Sequence, residues 1–320
     1  MTSSAPTLPH PSLISSLNHI PPPPIQEYIS KFRNLLTEGT SIPSSWGTTR
    51  FYDFSPKFPS SARRVIMLHG GGTPAVTFTS LARELTKSGN HVVTYDLWGH
   101  GLSSTPLETH TPAIMHTQLL ELLAYLRWSS AHIIGFSIGG SIAATFTAIH
   151  PCMVESLTLI SPAGLLRKAD RGWWERLSMD GYFGFEWLRR RKVMFFINGG
   201  RDPQPKQGWE ERVKNGEMDG VAVEAWQREN HGGHVASLVS MLNYAGVYDQ
   251  HANFKLLGEQ DVRALVLVGS EDGVFPEEML RRELGGVGWK GEIKVVEGAG
   301  HGIVGSHFED AGKLLDEFWS

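Results

Sequence analysis

A serine, an aspartate and a histidine stand in this 320-residue chain where nucleophilic catalysis could use them. Ser137 lies in Gly135-Phe136-Ser137-Ile138-Gly139, a G-x-S-x-G pattern between two apolar runs. A serine hydroxyl attacks a carbonyl only when a base takes its proton, and that base needs a third group to orient it. Asp272, in Gly269-Ser270-Glu271-Asp272-Gly273, and His301, in Gly298-Ala299-Gly300-His301-Gly302, are the candidates. The chain order serine, aspartate, histidine is the one that accompanies a G-x-S-x-G turn. Glu271 competes with Asp272 as the acid. His69 and His100 compete with His301 as the base, although their settings favour hydrogen bonds to loop backbone.

Such a triad needs a scaffold. Residues 131–134 read as a buried strand and 138–149 as a helix of small residues, so Ser137 falls on a sharp strand-to-helix turn. The flanking glycines suit that turn, because side chains two positions either side would collide where helix meets strand. Strands are predicted at 48–54, 64–69, 91–95, 154–160, 263–269 and 292–296. Helices are predicted at 74–87, 111–127, 276–284 and 305–318. This alternation implies a mostly parallel sheet covered on both faces, with Asp272 and His301 just beyond the carboxyl ends of two strands. The stretch before residue 64 looks short for two full strands, so the first edge of the sheet is expected to be abbreviated.

The rhythm stops between 165 and 255, which is more than a crossover needs and reads as an inserted helical unit. It carries Trp173, Trp174, Tyr182, Phe183, Phe185, Trp187, Trp209 and Trp226. Residues 1–24 are rich in Ser, Thr and Pro and read as a flexible arm ending in a short polyproline segment. Residues 25–38 carry a helical stripe of Ile25, Tyr28, Ile29, Phe32, Leu35 and Leu36, expected to pack on the main domain.

In these motifs the chain resembles the α/β-hydrolase fold family, in its lid-bearing branch of esterases, monoacylglycerol-lipase-like enzymes and carbon–carbon bond hydrolases. The resemblance covers residue 64 to the end, the insertion matching in position only. It implies a doubly wound, mostly parallel α/β-hydrolase core from 25–164 and 256–320, with 165–255 as a helical lid. It further implies Ser137 as nucleophile, His301 as general base and then acid, and Asp272 as the group that orients His301. By the same resemblance His69-Gly70-Gly71-Gly72 forms an oxyanion loop, a backbone N–H of Gly71 or Gly72 joining that of Ile138. The expected activity is hydrolysis of a carboxylic ester, lactone or thioester of a small to medium apolar substrate through an acyl-enzyme. The same triad could cleave a carbon–carbon bond in a β-diketone, and a non-catalytic ligand receptor could retain the whole arrangement.

Composition narrows the field. A formal net charge of −4 points to neither nucleic acid nor an anionic membrane as partner; a small molecule is the expected one. One cysteine, Cys152, permits no intrachain disulfide, and no secretory signal is visible, which together suit a cytoplasmic setting. The uncharged stretch 128–154 reads as strand, turn and helix, not a membrane span. No cofactor is expected: a dinucleotide fingerprint would need glycine where Ser137 stands, although Glu155 falls twenty residues after Gly135. No metal is expected either, because the glycines of His231-Gly232-Gly233-His234 spoil a helical ligand face and a helix start explains the stretch. The basic run Arg189-Arg190-Arg191-Lys192 reads as a solvated face. Oligomeric state is not legible.

Overall fold

The computed structural model describes residues 18–33, 35–55, 62–170 and 204–320. The arm through residue 17, the aromatics from Trp173 to Trp187 and the basic run at 189–192 lie outside the described residues.

A run of strands forms the centre: β2 (Gly39–Ser44), β3 (Gly47–Phe54), β4 (Arg64–Leu68), β5 (His91–Tyr95), β7 (Ala131–Phe136), β8 (Val154–Ile160), β9 (Ala264–Gly269) and β10 (Glu292–Val296). They make one eight-stranded sheet in the order β10-β9-β8-β7-β4-β5-β3-β2. From β5 across to β10 every pairing is parallel, while β3 and β2 join antiparallel at the far edge. The sheet's first edge therefore holds two full strands instead of an abbreviated one. The two-residue turn Ser45-Trp46 lets a single stretch fold back on itself as a hairpin, so little sequence is needed for both strands.

Helices cover both faces. On one side α3 (Pro112–Leu126), α4 (Ile138–Ile149), α8 (His251–Glu259) and α9 (Glu277–Gly286) bury Leu119, Phe146, Phe254 and Leu280 against Ile66, Ile133 and Val266. On the other, α2 (Thr79–Lys87) and α11 (Phe308–Trp319) bury Leu81, Leu85 and Leu315 against Val65, Met67 and Leu267. The central strands are apolar on both faces because both are covered. Local chemistry fixes the helix ends. Thr111 accepts from Ile114 N–H ahead of Pro112, and Arg127 closes α3 in the left-handed region with φ 55°. A short helix, α10 (Ile303–Ser306), follows His301.

Between β8 and β9 the described residues contain α5 (Trp209–Lys214), α6 (Gly220–Asn230) and α7 (His234–Tyr244) ahead of α8. The expected boundary at 255/256 runs through α8, whose Phe254 is fully buried in the core beneath α4. The N-terminal helix α1 (Ile25–Phe32) packs chiefly on this inserted unit: Tyr28 meets Trp226 edge-on at 4.9 Å, Phe32 stacks on Trp209 at 6.2 Å, and Val213 and Val223 complete the cluster. Core residues Val76 and Leu102 contribute only its floor. Ahead of α1, the short strand β1 (His19–Ile20) pairs antiparallel with β6 (Thr105–Pro106), so the end of the expected flexible arm is held down.

Candidate active site

Parallel strands place their carboxyl ends on one edge, and the register brings five of those ends level: Leu68 lies beside Gly135, Phe136 beside Ile160, Ile160 beside Leu267, and Val296 beside Gly269. Just past them come His69, Ser137, Asp272 and His301. Along the chain β5 is added on one side of β4 and β7 on the other, so the crevice at β4/β7 is a topological switch point, the usual place for a ligand in an open sheet.

Ser137 sits between β7 and α4 with φ 55° and ψ −118°, a conformation that costs a non-glycine residue about 1–3 kcal/mol. The glycines around it are required by approach. A Cβ on Gly139 would lie 2.2 Å from Leu68 O, and one on Gly135 would lie 2.4 Å from Gly139 O. Ser137 N–H is already engaged by Ile160 O at 3.0 Å. Ile138, first residue of α4, has by contrast an N–H that finds no acceptor within its helix.

Three side chains form a hydrogen-bonded line. Ser137 Oγ is 3.2 Å from His301 Nε2, and His301 Nδ1 is 3.0 Å from Asp272 Oδ2. Donation from Nδ1–H to the carboxylate leaves the Nε2 lone pair facing the serine hydroxyl. Asp272 Oδ1 accepts from Val274 N–H at 2.8 Å and Phe275 N–H at 2.9 Å, so the carboxylate cannot swing away. Burial alone would raise the Asp272 pKa. The hydrogen bond and charge of His301, with the Phe275 N–H, outweigh it and hold the carboxyl below its ordinary value. The histidine ring lies between Phe136 and Phe275, at centroid distances of 5.1 and 5.4 Å.

The competitors are placed elsewhere. Glu271 is exposed, and its backbone N–H serves Ala299 O. His69 is fully buried, with Nδ1–H on Gly70 O at 2.7 Å and Nε2 accepting from Leu97 N–H at 2.8 Å. His100 is buried beside it.

Of the glycine run, Gly70 and Gly71 approach the serine turn most closely. A Cβ on Gly70 would be 3.0 Å from Ser137 Cβ, and one on Gly71 would be 2.9 Å from Ile138 Cδ1 and 3.7 Å from Leu238. Gly72 follows with φ +86°, turning the chain away, and its carbonyl accepts from Gln227 Nε2 at 2.6 Å. Gln227, Leu238 and Met218 come from the inserted segment, and nothing in the sequence marks them. Met218 touches Thr77 and lies near Gly305, just past His301. Asp96, directly after β5, is also unmarked: its carboxylate accepts from Tyr52, Ala75 N–H and Leu102 N–H, and burial raises its pKa to about 6.

His234 begins α7, as a helix start at 231–234 requires, and donates to Gly99 O. Among the described residues no group of three or more His, Cys, Asp or Glu side chains is arranged to hold a metal ion. No helix among them is long and apolar enough to cross a membrane.

Comparison with known proteins agrees with this fold. The family model for the alpha/beta hydrolase fold matches residues 63–198. A serine hydrolase-like protein of Danio rerio is 32% identical over 158 residues, covering 47% of this chain and 43% of that protein. Monoacylglycerol lipase abhd6-A of Xenopus laevis is 32% identical over 126 residues, covering 38% of this chain and 37% of that protein. The matched segments thus span less than half the length of these curated relatives. In the crystal structure of the enol-lactonase from Burkholderia xenovorans the same fold recurs with a TM-score of 0.63 at 19% identity, over 88% of this chain and 99% of that one.

Proposed function

We propose that this α/β-hydrolase-fold protein is a serine hydrolase that cleaves a carboxylic ester, lactone or thioester through an acyl-enzyme at Ser137. The observation that carries this reading is the line Ser137–His301–Asp272, with its two contacts of 3.2 and 3.0 Å. Ser137 Oγ bonds to the carbonyl carbon while its proton passes to His301 Nε2. The carbonyl oxygen becomes an oxyanion, held by the N–H of Ile138 and that of Gly71 or Gly72. Collapse breaks the bond to the leaving alcohol or thiol, which takes the proton from His301. Water then bonds to the acyl carbon while giving a proton to His301, and collapse breaks the bond to Ser137 Oγ, which takes that proton back as the acid leaves. Asp272 stays ionised throughout and stabilises the histidinium.

An apolar acyl group suits the surroundings: Ile138 and Leu238 flank Gly71, and Phe136 and Phe275 flank His301. The monoacylglycerol lipase among the relatives supports the same class. In this reading the segment between β8 and β9 acts as a lid, and among its described residues Leu238, beside Gly71, and Gln227, on Gly72 O, reach the site.

The test is labelling by a fluorophosphonate probe, followed by a panel of ester, lactone, thioester and β-diketone substrates. Wild-type protein should label and turn over at least one acyl substrate, and Ser137→Ala should do neither. Turnover of the β-diketone alone would replace the acyl reading with carbon–carbon cleavage. Tight ligand binding without labelling or turnover would replace it with a receptor.

A further inference from the structure

Three consecutive glycines, Gly70 to Gly72, carry one side of the anion cradle, and glycine has more backbone freedom to lose than any other residue. A loop of this kind points its N–H groups reliably only if its carbonyls and its ends are fixed from outside. The core supplies two anchors. His69 holds Gly70 O at 2.7 Å, and Asp96 Oδ1 holds Ala75 N–H at 2.9 Å. The third comes from the insertion. Gln227 on α6 is fully buried, donates Nε2–H to Gly72 O at 2.6 Å and accepts Gly101 N–H on Oε1 at 2.6 Å.

Gln227 leads a polar stripe that continues through His231, His234 and Ser237. These donate to Ser103 O at 2.9 Å, Gly99 O at 2.9 Å and Trp98 O at 3.1 Å, all in the loop after β5. Gln227 alone in this stripe also reaches the glycine loop. A buried apolar side chain would have filled the space at less desolvation cost, so a buried amide used at both ends points to a need for fixed backbone orientation.

We infer that Gln227 is a positioning residue through which the inserted helices hold the Gly72–Thr73 peptide, and with it the oxyanion-binding N–H groups beside Ser137. The inference rests on the serine hydrolase reading above. Docking of the insertion and competence of the oxyanion site thereby become one event: an insertion that lifts takes the Gly72 anchor with it.

Gln227→Glu separates this role from mere packing. The ionised carboxylate keeps the bond from Gly101 N–H but faces Gly72 O without a proton to donate, whereas the protonated form restores the donor. Burial places the titration of that carboxyl above the ordinary range. With a small activated ester, kcat of the variant at pH 9 should fall about 10–100-fold, less than the roughly 10²–10³ for losing a donor outright. KM should change less than about 3-fold, because the bond acts on the transition state. The ratio of variant to wild-type kcat should rise about 5-fold or more between pH 9 and pH 6 as the proton returns. Gln227→Met, similar in shape but lacking both bonds, should show the kcat loss with no pH-dependent recovery, and it carries the test if the carboxylate variant does not fold. A wild-type kcat in whichever variant folds, or equal losses in kcat at every pH for Glu and Met, overturns the inference. Ser137→Ala run alongside keeps the two readings apart: its inactivity sustains the nucleophile whatever Gln227 does, and its activity removes the nucleophile itself.

Discussion

At the scale of single residues the site is a set of constraints on one oxygen atom. Ser137 is held with φ 55° because its N–H is tied to Ile160 O and its carbonyl takes the N–H of Gly140 and Ser141. Its Oγ can then meet His301 Nε2 at 3.2 Å. Ser137→Ala and His301→Ala should each lower kcat by about 10⁴ or more, and Asp272→Asn by a similar or smaller factor. The three losses should not multiply when combined, because the groups act as a unit; a double variant with additive losses would argue against a shared proton path. Ser137, Asp272 and His301 were legible because each is a reactive type beyond an apolar run, in the one order the turn motif accepts. Gln227 and Asp96 were not legible. Their roles are hydrogen bonds to backbone that is distant in sequence, and no spacing rule encodes such partners.

At the scale of elements the turn between β7 and α4 is limited by backbone approach. Gly139→Ala would drive a methyl to 2.2 Å from Leu68 O, an atom in the centre of the sheet that cannot yield as a side chain could. The variant should lose about 3 kcal/mol of stability or fail to accumulate as soluble protein, read by chemical denaturation. Alanine at Gly302, where no atom lies within 4 Å of the added Cβ, is the control and should stay within about 0.5 kcal/mol of wild type. The parallel strands were readable because burial on both faces makes them continuous apolar runs. The edge hairpin β2/β3 was half hidden: β2, Gly39-Thr40-Ser41-Ile42-Pro43-Ser44, buries only Ile42 and so lacks an apolar run. The stripe on α1 was readable too, but a stripe names no partner. Its tyrosine and phenylalanine face Trp226 and Trp209, which lie far along the chain.

At the scale of the whole molecule, the seam between the inserted helices and the core is lined with uncharged histidines. His69, His100, His110, His231 and His234 are all buried, with rings of His69 and His100 at 5.0 Å and of His100 and His234 at 4.9 Å. Burial lowers each of them, His69 and His110 to about 4 and His234 to about 3. A depressed folded-state pKa gives stability that is complete above the ordinary value of 6.5 and is lost as pH falls toward the folded value. Each such histidine contributes up to about 1.4 kcal/mol per pH unit over that window. Asp96 opposes them, since its raised pKa gives stability present below 3.8 and lost as pH rises through about 6, and Glu121, also raised by burial, acts in the same direction, but they are two groups against five. Asp272 and Glu283, both lowered, weaken the fold only when pH falls below the ordinary carboxylate range, so the histidines dominate between pH 6.5 and 4.5. The melting temperature should therefore drop by at least about 5 °C between pH 7.5 and pH 5.0. His231→Gln with His234→Gln should flatten that dependence. Because His231 and His234 belong to the insertion while Ser103 O and Gly99 O belong to the core, acid should loosen this seam before the sheet. Amide exchange in α6 and α7 should then rise at pH 5.0 while β4, β7 and β8 remain protected. A melting temperature that is flat over this range, or exchange that rises uniformly, would mean that the buried histidines do not control how the insertion is held.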